Sequence, residues 1–229
     1  MPLPRIIAID GPVASGKSTV GKRLADRLGY LFFDTGLMYR ALTFLALRAG
    51  IPVSDSGALA RFASVAEIDV RPPTGVERDG RDATVMAGEE DITHQLRSRD
   101  VENNVSPVAA VPEVRAILTA AMRRVGLRGR VVMVGRDVGT AILPEADAKI
   151  FLTASVEHRA QRRYDEISAR GESRSYDDIL ANLAERDRID SSRQTAPLRA
   201  ADDAAQIDTS GLTLDEAVEL LESQIVPKN

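Results

Sequence analysis

Apolar residues fall in two alternating rhythms along this chain. Short solid runs, Ile6-Ile7-Ala8-Ile9, Tyr30-Leu31-Phe32-Phe33, Val131-Val132-Met133-Val134 and Ile150-Phe151-Leu152, read as strands buried on both faces of a parallel sheet. Between them apolar positions recur at helical spacing: Val20, Leu24 and Leu28 behind the first run, then Val114, Ile117, Leu118, Ala121 and Val125 in a helix expected from Pro112 to Val125. A helix is also expected through Met38-Tyr39-Arg40 to about Gly50, another over 56–65, and a weak last strand over Ala205 to Asp208. Gly29 reads as a C-cap, and Thr213-x-x-Glu216 as a capping box for a closing helix whose apolar face runs through Leu214, Ala217, Val218 and Leu221. Strand alternating with helix predicts an α/β domain.

The rhythm breaks twice. Glu67 to Val70 and Ala83 to Met86 alternate like short half-buried strands, separated by Pro72-Pro73 and Asp79-Gly80 turns, and Asn103-Asn104-Val105-Ser106 leads back out. With Arg71, Arg78, Arg81, Glu89, Glu90 and Asp91, this insertion packs little core of its own and is expected to be mobile. Later, a helix from about Val156 carries Arg159, Arg162 and Arg163, stops at Gly171 to Ser175 and is followed by a second polar helix from Tyr176, an arrangement that suits a lid.

Composition narrows the partners. At 229 residues and 44% hydrophobic, the chain has one core with room for appendages. No long apolar run is present and Met1-Pro2-Leu3-Pro4 leads straight into a strand, so a soluble cytoplasmic protein with no membrane partner is expected. Zero Cys excludes thiolate catalysis and Cys-ligated metals, and His94 and His158 read as surface residues. A net charge of -4 argues against a broad nucleic-acid surface. The cations are overwhelmingly Arg, which suits phosphate clamps or reflects biased codon usage.

The strongest chemical signal is Gly11-Pro12-Val13-Ala14-Ser15-Gly16-Lys17-Ser18-Thr19, placed between the first strand and the first helix. It fits the P-loop pattern: glycines turn backbone amides inward, Lys17 reaches the outer phosphates and the Ser18 hydroxyl faces Mg2+. The string alone would arise by chance in about one such chain in a hundred. A nucleoside triphosphate ligand follows. Other strand ends carry further candidates. Asp34-Thr35-Gly36 opens the loop after the second strand, with Arg40 pointing back toward it or simply solvated. Gly135-Arg136-Asp137-Val138-Gly139-Thr140 follows the central strand, as a ligand contact or as a local Arg-Asp pair. Arg186, Asp190 and Arg193 share a helix face by i, i+4, i+7 spacing, as a site or as a charged surface. Arg115 lies off the apolar stripe of its helix.

Together these motifs resemble the bacterial cytidylate kinase family over nearly the whole chain: G-P-V-A-S-G-K-S-T from Gly11, D-T-G-L-M-Y-R from Asp34, N-V-S-P-V-A-A-V-P-E-V-R from Asn104, G-R-D-V-G-T from Gly135, K-I-F-L-T-A-S from Lys149 and R-D-R-I-D-S-S-R from Arg186. The family commonly has Ser where Thr35 stands, and no family motif matches the stretch from Pro72 to Gly80.

The resemblance implies a single P-loop kinase domain over 1–229, with a five-stranded parallel sheet in the order 2-3-1-4-5 and helices on both faces. Its core would be 1–62, 109–155 and 176–229, with a nucleoside-monophosphate-binding insertion at about 63–108 and a lid at about 156–175. It implies transfer of the γ-phosphoryl group of ATP to CMP or dCMP by a monomer. Gly11 through Thr19 would hold ATP, with Mg2+ at Ser18 mainly through ATP phosphates and water. Ser106, Arg115 and Asp137 would face cytosine, Arg40, Arg136 and Arg193 the acceptor phosphate, and Arg186 and Asp190 the pentose, while Asp34 and Thr35 join the substrate site. Lys17, Arg136, Arg193 and Arg162 would be the catalytic cations. The nearest rival is another small-acceptor P-loop kinase, for a different nucleoside monophosphate or shikimate; a non-catalytic nucleotide sensor is the second. A GTP switch is excluded, because no Asn-Lys dipeptide exists from which to build the guanine-reading motif.

Overall fold

Ile7, Ala8 and Ile9 have no exposed surface, because their strand is covered on both faces and paired on both edges. In this computed structural model, residues 3–77, 79–169, 171–193 and 195–225 are described. The chain opens with β1 (Ile6–Asp10), α1 (Lys17–Leu28), β2 (Leu31–Asp34), α2 (Gly36–Arg48) and α3 (Ser56–Val65). The insertion carries β3 (Ile68–Arg71), β4 (Thr84–Ala87), β5 (Glu90–Asp91) and α4 (Arg99–Ala110). The second half holds α5 (Pro112–Gly126), β6 (Val131–Gly135), β7 (Ala148–Thr153), α6 (Val156–Ala169), α7 (Tyr176–Ser192), β8 (Ala205–Asp208) and α8 (Leu214–Ile225).

The main sheet has the order β2-β6-β1-β7-β8, all parallel. Numbered without the three strands of the insertion, that order reads 2-3-1-4-5. Period-two alternation splits its side chains between two cores. Ala8, Phe33, Val131 and Met133 pack with α2, α3 and α5, whereas Ile7, Ile9, Val132, Val134, Ile150 and Leu152 pack with α1 and α8. The switch in strand direction of progression lies beside β1, so both the P-loop and the loop after β6 open at the same edge.

The insertion forms a three-stranded antiparallel sheet with Val70 opposite Val85. Its buried Val70, Val85, Ile92 and Leu96 belong to the same cluster as α2 and α5, so this lobe leans on the main core, as its polar composition requires. Asn103 to Ser106 is helical within α4: acidic Asp100 and Glu102 occupy its first turn, and Val101 and Val108 bury one face. α6 and α7 form a hairpin around a small cluster of Ala160, Ile167, Ile179 and Leu183, against which Val13 and Ala14 pack. The packed unit thus extends past residue 175 into α7, because α6 buries its apolar stripe on that helix. Among the described residues no single helix is long and apolar enough to cross a membrane.

Candidate functional site

The phosphate loop is shaped by close backbone approach. A Cβ on Gly11 would lie 2.1 Å from the Leu152 carbonyl oxygen of β7, so no side chain fits there. Gly16 (φ 88) and Ala14 (φ 60) adopt left-handed conformations that turn the loop into the helix. α1 then begins at Lys17 with no side-chain cap and no acid in its first turn, which leaves its amides open to an anion. The buried Ser15 Oγ has no hydrogen-bond partner among the described residues. Lys17 Nζ donates to the Pro12 carbonyl at 2.8 Å. Desolvation, and then the Arg136 charge, lower its pKa to about 8, while Asp34, Asp10 and Asp190 oppose that shift. Ser18 Oγ donates to Asp34 Oδ2 at 3.1 Å, and Asp34 Oδ1 accepts from the Gly36 amide at 2.9 Å, fixing the turn into α2. These two oxygens are hard donors of the kind Mg2+ takes. Among the described residues no group of three His, Cys, Asp or Glu forms a metal cage.

A second cluster forms where β6 ends. Asp137 is buried and accepts from Arg115 Nη2 at 2.8 Å. Burial raises the Asp137 pKa, opposed first by Arg115. Arg115 is itself buried, although its helical position lies off the apolar stripe; the carboxylate and the Tyr39 ring, 5.7 Å from its guanidinium carbon, take the place of solvent. Its Nε has no partner among the described residues. Ser106 is exposed on α4, one turn before Ala109, whose carbonyl accepts from Arg115 Nη1 at 3.5 Å. Thr35 is buried against Gly135, where an added Cβ would come within 2.7 Å of its Oγ1.

Arg136 and Asp137 do not pair with each other. Arg136 Nε donates instead to the buried Asp190 of α7, which also accepts from Arg193 at the C-cap of that helix. The Arg186–Asp190–Arg193 row is therefore not a uniformly solvated face, because its carboxylate is the buried hub of two ion pairs. Arg186 is exposed and has no hydrogen bond or ion pair among the described residues, yet partial desolvation, followed by the facing Arg136 and Arg40 charges, lowers its pKa. Desolvation likewise lowers the Arg193 pKa, with Arg115 and Arg136 adding to it against Asp190. Arg40, also without a pair, reaches back over Gly36.

Arg162 lies beside the phosphate loop: its Nη2 donates to the Thr209 carbonyl at 2.5 Å, and its Nη1 lies 3.7 Å from where a Cβ of Gly16 would stand. A cleft of about 1250 Å³ joins Lys17, Ser18, Arg40 and Arg162 to His94 and Arg97 of the insertion. The Arg115–Asp137 pair is not among its lining residues.

Three contributors escaped the sequence reading. Asp10, the last residue of β1, is buried and accepts from the Val138 and Gly139 amides at 2.7 Å each, tying the P-loop strand to the loop that carries Arg136 and Asp137. Desolvation raises its pKa to about 6 against those two hydrogen bonds. A carboxylate closing an apolar strand was the available signal. Tyr39 was read only as part of the motif from Asp34, and Arg159 only as one of three arginines on a polar helix, with nothing in either to mark its partner.

The family model described as cytidylate kinase matches residues 7–226. The chain belongs to the cytidylate kinase family. Curated relatives include the cytidylate kinase of Herpetosiphon aurantiacus, 49% identical over 96% of this chain and 94% of that protein, and that of Anoxybacillus flavithermus, 47% identical over 93% and 92%. A solved shikimate kinase from Bacteroides thetaiotaomicron covers 94% of this chain and 95% of its own at 12% identity, with a TM-score of 0.48.

Proposed function

We propose that the chain transfers the γ-phosphoryl group of ATP to CMP or dCMP, as a cytoplasmic monomer using Mg2+. An oxygen of the acceptor phosphate attacks the γ-phosphorus and the bond to the bridging oxygen of ADP breaks; the acceptor is already ionised, so no general base is required. Mg2+ at Ser18 and Asp34 would neutralise charge on the donor phosphates. Lys17 and Arg162 would hold the transferred group, and Arg40, Arg136 and Arg193 the acceptor phosphate. Arg186 and Asp190 would face the pentose. The insertion around 63–108 and the α6–α7 hairpin would close over the two nucleotides and exclude water.

The observation that carries this reading is the buried Arg115–Asp137 pair with its unpartnered Arg115 Nε. Cytosine presents an amino donor beside acceptors, the complement of a carboxylate beside a guanidinium. An acceptor panel with ATP and Mg2+, run on the wild type and Asp137→Ala, tests it. CMP and dCMP should lead UMP, AMP, GMP and shikimate, and Asp137→Ala should reduce the preference for CMP over UMP by tenfold or more, about 1 to 3 kcal/mol of base discrimination. Preferential use of AMP or shikimate would overturn the assignment.

A further inference from the structure

Arg159 has no place in the roles above, yet it is 4% exposed and every nitrogen of its guanidinium is occupied. Nε donates to the Ala154 carbonyl just past β7 at 2.9 Å, and Nη1 to the Val13 carbonyl of the phosphate loop at 3.1 Å. Nη1 and Nη2 also grip the two oxygens of Asp187 at 3.1 and 2.5 Å. Asp187 lies on α7 between Arg186 and Asp190, so one buried fork joins the sheet, the donor loop and the helix that carries the acceptor-side charges. A second contact runs in parallel, since Val13 and Ala14 pack against the apolar cluster of the α6–α7 hairpin.

We infer that Arg159 and Asp187 are positioning residues that couple filling of the phosphate loop to capture of the acceptor; this inference rests on the kinase reading above. ATP phosphates seated on the loop fix the peptide whose carbonyl Arg159 holds. Through Asp187 the same fork sets the rotation of α7, and with it Asp190 and the two guanidinium groups that Asp190 gathers. A bidentate fork suits this duty because its two parallel bonds fix direction as well as distance, which a Lys in the same place could not do. A pair that merely held the hairpin on the core would support stability without linking the two ligands.

Coupling is measured as the ratio of CMP dissociation constants, by calorimetry, without and with a saturating non-hydrolysable ATP analogue and Mg2+. In the wild type the analogue is expected to tighten CMP binding by about fivefold or more, and CMP must tighten the analogue by the same factor. In Asp187→Asn the ratio should fall below about twofold, whatever the change in CMP binding without the analogue. Arg159→Lys keeps the buried charge but cannot span three acceptors, so it should show the same loss of coupling and provides the second variant should Asp187→Asn not fold. A wild-type ratio retained by the variants, or no enhancement in a wild type that binds CMP, would overturn the coupling. A wild type that fails to bind CMP at all would instead overturn the kinase reading.

Discussion

Lys17 shows how burial tunes a single side chain. Its ammonium loses water beneath the loop and faces Arg136, so its pKa falls to about 8 even with Asp34, Asp10 and Asp190 nearby. Only the protonated form attracts triphosphate, and a lowered pKa means that form is lost as pH rises through about 8. The kcat/KM for ATP, which reports the free enzyme, should therefore fall with an alkaline limb near that pH, whereas kcat should hold to higher pH because bound phosphates restore the proton. A flat kcat/KM profile between pH 7 and 9.5 would contradict the assignment of Lys17. Asp10 runs the other way: its folded-state pKa lies above the ordinary carboxylate value, so ionising it opposes folding as pH rises from 3.8 toward about 6. Such a group is retained for what it anchors, here the amides of Val138 and Gly139. The phosphate loop was legible because its residues are contiguous and a short loop has few ways to bind phosphate. Asp10 was not, because its partners lie 128 and 129 residues away.

At the scale of elements, local rules accounted for most boundaries. Gly29 ends α1 with φ 65, as a C-cap glycine should. Thr213 and Glu216 close the reciprocal box before α8: Glu216 Oε2 accepts from the Thr213 amide and hydroxyl at 2.8 Å each, and Thr213 Oγ1 accepts from the Glu216 amide at 3.3 Å. Thr213→Ala should cost about 1 kcal/mol in urea unfolding, since a helix start loses its side-chain acceptor. An unchanged midpoint would mean that packing of Val218 and Leu221 alone holds the helix in place. α4 was less legible: Asn103 and Asn104 are poor helix formers and Pro107 sits inside the helix, so propensity pointed to a loop where burial of Val101 and Val108 prevails. α7 was legible as a helix from Tyr176, and its packing against α6 through Ile179 and Leu183 is what the structure adds.

On the scale of the whole molecule, two appendages meet over one sheet edge. The insertion touches the P-loop helix lightly, through Lys22 and Asp82 at 3.7 Å, and the α6–α7 hairpin touches the loop through Val13 and Ala14. If they close over substrates, amide exchange in β3 to β5 and in α7 should slow when CMP and a non-hydrolysable ATP analogue are bound together, with β1 and β6 unchanged. Equal protection of these appendages with and without ligands would argue against closure. By itself the sequence determined the alternation of strands and helices, the phosphate loop, the caps and the family, since each is written in residues a few positions apart that act through periodicity and backbone conformation. Only the tertiary structure decided which charges meet: Arg115 with Asp137 across 22 positions, Arg136 with Asp190 across 54, and Arg159 with the loop across 146. An arginine in a helix carries no mark of its partner. The pairing follows from how the strand order brings the ends of β1, β6 and β7 together beneath α7 and from the loss of solvent there, which makes an unpaired charge too costly to leave.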